Sequence, residues 1–204
     1  DDTLAAEYTI NHKMTHSQTL LPMIDEIFSM VQLKPDDVDV IAVSKGPGSF
    51  TGLRIGAATG KGIALALDKK MVAVPTLAAM AYNLYGDSRY ICPVMDARRK
   101  HLYSGIYTFD GDRLITVRDV NLESYDELAE ELAGLDGQVV LVGDGVDVAG
   151  DVLKEQLGDK CVLAPAHIKT QRAGSVTLLA KQMADNGGYT DADELKPDYL
   201  RASQ

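Results

Sequence analysis

The chain has 204 residues, of which 46% are hydrophobic and 25% charged, the balance of an ordinary globular protein. Lys and Arg number 20 against 30 Asp and Glu, a formal net charge of −10. The whole excess lies beyond residue 100, because the first hundred residues carry 11 basic and 11 acidic side chains and the remainder 9 and 19. Such an acidic second half excludes a stand-alone platform for phosphate backbones, which needs clustered cations. No apolar run approaches a membrane span, and no secretory signal is read at the start. Cys92 and Cys161 are too few for a disulfide framework or a zinc site. Each lies in an apolar run, which predicts reduced core thiols and a cytoplasmic setting.

Leu4 to Ile10 alternates loosely and predicts an edge strand. Leu20, Ile24, Ile27, Phe28 and Val31 repeat at helical spacing, so Ser17 to Val31 predicts a helix capped by Ser17 or Thr19, with Pro22 tolerable only in a first turn. Asp39 to Ser44 reads as a buried strand, Thr51 to Leu67 as a long helix, and Met71 to Val74 as a short strand. Thr76 is placed to cap a helix from Leu77 to Leu84. Tyr90 to Met95 is a strand ending in the polar turn Asp96-Ala97-Arg98-Arg99-Lys100. Leu102 to Phe109 and Leu114 to Val120 form a hairpin about Asp110-Gly111-Asp112. Ser124-x-x-Glu127 is a capping box for a helix to Leu132. Val139 to Val142 then runs into Gly143-Asp144-Gly145, followed by helices near Val148 to Leu157 and Ala173 to Asn186. Strands interleaved with helices, met twice, predict an α/β protein of two lobes, 1–96 and 97–204. The last segment is expected to return to the first lobe.

The densest motif is Gly46-Pro47-Gly48-Ser49-Phe50-Thr51-Gly52-Leu53-Arg54-Ile55-Gly56. A glycine turn between a strand and a helix suits an anion, yet neither the P-loop nor the dinucleotide register is present. A tight turn with Ser49 or Thr51 as helix cap is the structural alternative. Gly52, Gly56, Gly60 and Ala64 recur every fourth residue and make one smooth stripe. Glycine in a helix interior costs about 1 kcal/mol relative to alanine, so something must offset three of them. Close approach of another backbone is the physical candidate, either the protein's own sheet or a helix of another subunit.

The string GPGSFTGLRIG, preceded by HSQTLLPMID and followed by DARR and PDYLR, resembles the TsaB (YeaZ) family across His16 to Arg201. The resemblance implies the two-lobed actin/Hsp70/sugar-kinase fold and a non-catalytic paralogue of TsaD. It implies that the chain binds TsaD through its first-lobe helices, or pairs with a second copy when alone. With TsaE, the assembly would transfer a threonylcarbamoyl group to tRNA, which this chain would meet only through the complex. The interface expected on this basis comprises Leu20, Ile24, Ile27, Phe28, Gly52, Arg54, Gly56, Gly60, Ile63 and Ala64. Gly46, Gly48, Ser49, Asp96, Arg98, Arg99, Gly143 and Gly145 are candidate anion or nucleotide contacts. No catalytic residue, metal or resident cofactor is expected, with ATP or ADP possible only at the subunit junction. The family's opening strand, turn and second strand are expected ahead of Leu4 and are not in the sequence. Lys100-His101-Leu102 stands where the family often has Glu-Val-Tyr. His12-x-x-x-His16 has metal-ligand spacing but no third ligand, so surface or capping histidines are the simpler reading. An actin-like ATPase or phosphotransferase is the alternative function, and a glycoprotease-like peptidase a weaker one.

Overall fold

A computed structural model of the chain describes residues 3–10 and 16–200. It divides into two compact units, one of residues 1–76 with 172–204 and one of 77–171.

In the first unit, helix α1 spans His16–Val31. Strands β1 (Val40–Gly46) and β2 (Lys70–Pro75) form a parallel pair joined by helix α2 (Phe50–Leu67). A parallel pair needs such a crossover. Ala57 and Ala64 of α2 and Met71 of β2 form a small core with Leu195, against Ile41, Val43 and Ala73. Met71 also pairs with Thr190 in an antiparallel bridge, so residues beyond α7 (Ala173–Asp185) extend this small sheet.

The second unit is built on five strands in the order β5-β4-β3-β6-β7. Strands β3 (Tyr90–Asp96), β4 (His101–Asp110) and β5 (Arg113–Ser124) are antiparallel neighbours. Strands β6 (Val139–Val142) and β7 (Cys161–Leu163) continue the sheet in parallel from β3. Side chains alternate across a strand, and the core divides accordingly. Cys92, Val94, Val139 and Leu141 meet Leu128 and Leu132 of helix α4 (Tyr125–Ala133) and Ala149 and Leu153 of helix α5 (Val146–Leu157). Ile91, Val140 and Val142 meet Leu77 and Met80 of helix α3 (Thr76–Ala81), with Ile168 of the short α6 (Ala166–Lys169) beside them. Burial on both faces explains why Val139–Val142 reads as an unbroken apolar run. Both cysteines are free and buried here. Burial pushes the Cys92 thiol far above its ordinary range and raises Cys161 as well.

One ionic group is sewn into this sheet. Arg118 donates to Glu123 at 2.7 Å and, through Nε, to Glu131 at 3.0 Å. It also donates to the Ser104 carbonyl at 3.0 Å and its hydroxyl at 3.0 Å, while that hydroxyl bonds Glu123. The group joins β4, β5 and α4 where the ladder register shifts after Ser104.

Several expectations need correction. Leu4 to Ile10 forms no strand; it is held by a side chain, since Glu7 pairs with Arg172 at 2.7 Å and accepts the Gly174 N–H at 3.0 Å. Helix α1 begins at His16, so Ser17 and Thr19 lie inside it and Pro22 sits in its body, where a proline has no N–H for the carbonyl four residues back. The units part after Thr76 and not after Asp96, because β3 is the middle of the five-stranded sheet and pairs with β4 and β6. The Thr76 hydroxyl accepts the Gly46 N–H at 3.1 Å. The capping box at Ser124 and Glu127 is present, with both reciprocal bonds.

The Arg172 guanidinium, helped by the Gly174 N–H, holds the Glu7 carboxyl below the ordinary glutamate range against the opposing effect of burial. A depressed folded value means that the stabilisation is complete above the unfolded pKa of about 4.3 and is lost as pH falls through the folded value. Amide exchange at Gly174 is therefore expected to accelerate, relative to neighbouring helix amides, below about pH 4. Glu7→Gln should already show the faster exchange at neutral pH.

Candidate functional site

Helix α1 carries the apolar spacing of a core helix, yet none of its side chains from Ser17 to Val31 is fully buried. Leu20, Ile24, Ile27 and Phe28 are half-buried, while Leu21 and Met30 are 56% and 76% exposed. An apolar helix face left partly open is a candidate interaction surface.

Helix α2 sorts its positions more sharply. Leu53, Ala57, Gly60 and Ala64 are buried. A Cβ at Gly60 would stand 2.5 Å from Val43 Cγ2 and 3.2 Å from Met71 Cε. Gly60 and Ala64 are thus small in order to seat α2 on its own sheet, and they leave the expected interface. Gly52 lies against its own cap, its Cβ position 3.4 Å from Ser49 Cβ. Gly56 has no atom within 4 Å of a Cβ position. Ile63 is half-buried. The face of α2 turned to solvent is instead Thr51, Arg54, Ala58, Gly62 and Leu65, again with open space at Gly62. Of these, only Arg54 was legible beforehand. Ala58 and Gly62 sit three to four positions from their neighbours on this face, a signal masked by the longer run of Gly52, Gly56 and Gly60.

The glycine loop ahead of α2 is a structural turn. Ser49 caps the helix, accepting the Gly52 N–H at 3.3 Å. The Gly46 N–H is already given to Thr76, and at φ +127° Gly46 lets the Asp198 carbonyl approach within 2.7 Å of where a Cβ would stand. Gly48 lies against the Leu53 side chain. The chain near Asp198 straps this turn: its N–H donates to the Lys45 carbonyl at 2.7 Å and its carboxylate pairs with Lys45 at 3.0 Å. The next residue, Tyr199, packs its ring tilted against Phe50 with centroids 5.0 Å apart and receives the Arg54 Nε–H at 3.4 Å. The Arg54 guanidinium lies 4.0 Å over the Phe50 ring. This Arg–Phe–Tyr group at the mouth of α2, with Arg54 and Tyr199 exposed and Phe50 half-buried, has the composition of an interface anchor.

Asp96, Arg98, Arg99, Gly143 and Gly145 all belong to the second unit, and the loop at Gly46 belongs to the first. The two glycines are set by packing. Gly143, at φ +115°, would place a Cβ 2.1 Å from the Val94 carbonyl, and Gly145 one 2.9 Å from Val94 C. Their N–H groups go to the carbonyls of Lys169 and Val94 at 2.7 and 3.0 Å, so this loop offers neither amide to a phosphate. Partial burial raises the Asp144 carboxyl above its ordinary value; the Asp96 N–H it accepts opposes this, and the Asp96 charge adds to it. Arg98, Arg99 and Lys100 are exposed and consecutive, at φ +67°, +56° and +58°. Each left-handed non-glycine residue costs roughly 1–2 kcal/mol. Arg98 is tied down by Asp96, which accepts its N–H at 2.8 Å and its guanidinium at 3.1 Å.

Among the described residues no three His, Cys, Asp or Glu side chains gather to hold a metal, and no helix is long and apolar enough to cross a membrane. His12 lies outside the described residues.

Residues 3–204 match the family model of TsaD, tRNA N6-adenosine threonylcarbamoyltransferase. The chain is 30% identical over 207 residues to the tRNA threonylcarbamoyladenosine biosynthesis protein TsaB of Bacillus subtilis, covering 100% of this chain and 87% of that one. It is 31% identical over 208 residues to TsaB of Escherichia coli, covering 98% and 87%. The solved structure of YeaZ from Pseudomonas aeruginosa superposes with a TM-score of 0.76 at 26% identity, covering 92% of this chain and 86% of that one. The expected fold, α/β of the actin-like type, is therefore the fold of this chain.

The two glycines differ in what a side chain would meet, and this can be measured. Gly60→Leu is expected to destabilise the protein by about 3 kcal/mol or more, through overpacking against Val43. Gly56→Leu should be neutral or stabilise by roughly 0.5–1 kcal/mol through helix propensity alone. Urea denaturation of the two variants beside the parent separates these outcomes.

Proposed function

Because the chain belongs to the TsaB (YeaZ) family, we propose that it is a scaffold subunit in the synthesis of threonylcarbamoyladenosine on tRNA, holding a TsaD-type partner through helices α1 and α2. The observation that carries this reading is the open apolar face of α1, with no fully buried side chain from Ser17 to Val31. It is joined by the solvent-facing row Arg54, Ala58, Gly62 and Leu65 on α2. Small residues at Ala58 and Gly62 let a neighbouring helix come close. Leu21, Leu65 and the half-buried Leu20, Ile24, Ile27 and Phe28 supply the apolar area. Arg54, held by Phe50 and Tyr199, supplies a polar anchor at one end. The same face pairs two copies when the partner is missing. TsaE and tRNA are met in the assembly, and any ATP or ADP is held at its subunit junction.

On this reading the chain itself carries no catalytic residue and works by geometry. The loop amides of Gly46, Gly143 and Gly145 are engaged within the chain, and this favours a scaffold over an independent phosphotransferase.

Leu21→Glu and Gly62→Arg change side chains that stand in open surroundings, so the fold should survive both. Each is expected to weaken binding to a TsaD partner by tenfold or more, about 1.4 kcal/mol. Size-exclusion chromatography of the mixed proteins reads the loss of co-elution, and circular dichroism checks the fold. Intact complexes with both variants would remove α1 and α2 from the interface.

A further inference from the structure

The turn between β3 and β4 combines two features that seldom meet. Arg98-Arg99-Lys100 is the only place in the sequence where three basic residues are adjacent. It stands in a unit that holds nine basic and sixteen acidic residues between 77 and 171. The same three residues all adopt left-handed backbone, with φ from +56° to +67°. Glycine or asparagine would make such a turn without strain. The backbone is fixed by local bonds: Ala97 N–H to the His101 carbonyl at 3.0 Å, His101 N–H to the Arg98 carbonyl at 3.1 Å, and the His101 ring to the Arg99 carbonyl at 2.8 Å. Among the described residues Asp96 partners the Arg98 guanidinium, and the arginine side chain is 84% exposed. An ion pair so open to water exchanges readily for another anion. Strain held at an exposed cationic tip, where easier residues exist, points to a partner that needs the charges there.

We propose that the Arg98-Arg99-Lys100 turn contacts the phosphate backbone of the RNA on which the assembly acts. This rests on the reading of the chain as a subunit in tRNA modification. It is a point contact, adding charge to a surface that the partner supplies in larger part, since the unit around it is acidic. RNA is favoured over an acidic protein because it is the substrate class that the reading assigns, and guanidinium and ammonium groups are the usual partners of phosphate oxygens.

The test uses the full chain, alone and mixed with a TsaD partner, in a tRNA filter-binding series over salt concentration. The variant Arg98→Asn with Arg99→Gly and Lys100→Gly keeps residues that accept left-handed backbone, so its melting temperature should equal or exceed the parent's. A control removes three cations elsewhere, with Lys34→Ala, Arg113→Ala and Lys181→Ala. The turn variant is expected to bind tRNA about tenfold more weakly at low salt. Its slope of log affinity on log salt should fall by about 2, at roughly 0.7–0.9 per phosphate contact. The control should match the parent. Chromatography before RNA is added shows whether the partner binds, so a failure of the scaffold reading is seen separately. Equal affinities and slopes for parent and turn variant, or no tRNA binding by the parent in either form, overturn the proposal. So does a variant that loses binding to poly-glutamate while keeping its binding to tRNA, which would assign the turn to an acidic protein.

Discussion

The contact of Gly60 with Val43 and Met71 decides which way α2 faces, and most of the functional reading depends on it. With a Cβ position only 2.5 Å from Val43 Cγ2, α2 can be seated on β1 and β2 in one rotation alone. That rotation buries Leu53, Ala57 and Ala64 and turns Arg54, Ala58, Gly62 and Leu65 to solvent. Helix propensity alone would have chosen alanine at Gly60; close approach of helix to sheet is what glycine supplies. The same logic recurs in the second unit, where Gly143 and Gly145 let β6 and the start of α5 lie against the Val94 backbone.

How much of this was readable from the chain depends on the kind of signal. Apolar residues at helical spacing placed α1, because a helix that is apolar on one face leaves a periodic trace. The capping box at Ser124 was equally plain. A glycine, by contrast, says only that a side chain is unwelcome. It does not say whether the space is filled from within, as at Gly60, or empty, as at Gly56. For the same reason Gly143-Asp144-Gly145 could be either an ordinary α/β turn or a nucleotide loop, and the closeness of both glycines to Val94 accounts for them through packing. Nothing in Arg98-Arg99-Lys100 announced left-handed backbone, since no residue there prefers it. The division after Thr76 was hidden as well, because the pairing of β3 with β6 spans about fifty residues and leaves no local mark.

The strap near Asp198 and Tyr199 links parts of the chain that sequence separates widely. Lys45, Phe50 and Arg54 meet it through an ion pair, a ring contact and a hydrogen bond. The anchor at the mouth of α2 is therefore composite. Arg54 is oriented by Phe50 one helical turn before it and by Tyr199 from far along the chain, so its position reports on the folding of the whole first unit. Buried ionic contacts do comparable work in the second unit. There Arg118 fastens α4 to the sheet through Glu123 and Glu131, and Glu123 is almost fully buried. Removing one member would strand a charge, which costs more than the intact group contributes.

Cys92 and Cys161 share one core in the second unit, and burial raises both thiols. The thiolate is the reactive form, so while that unit stays folded the native sulfurs are silent toward alkylating reagents. A single cysteine installed on the outer face of α1 or α2 would then be the lone addressable handle. Spin labels or fluorophores could be attached there without first engineering the natural thiols away, and the geometry of an assembly could be measured on an otherwise unaltered polypeptide.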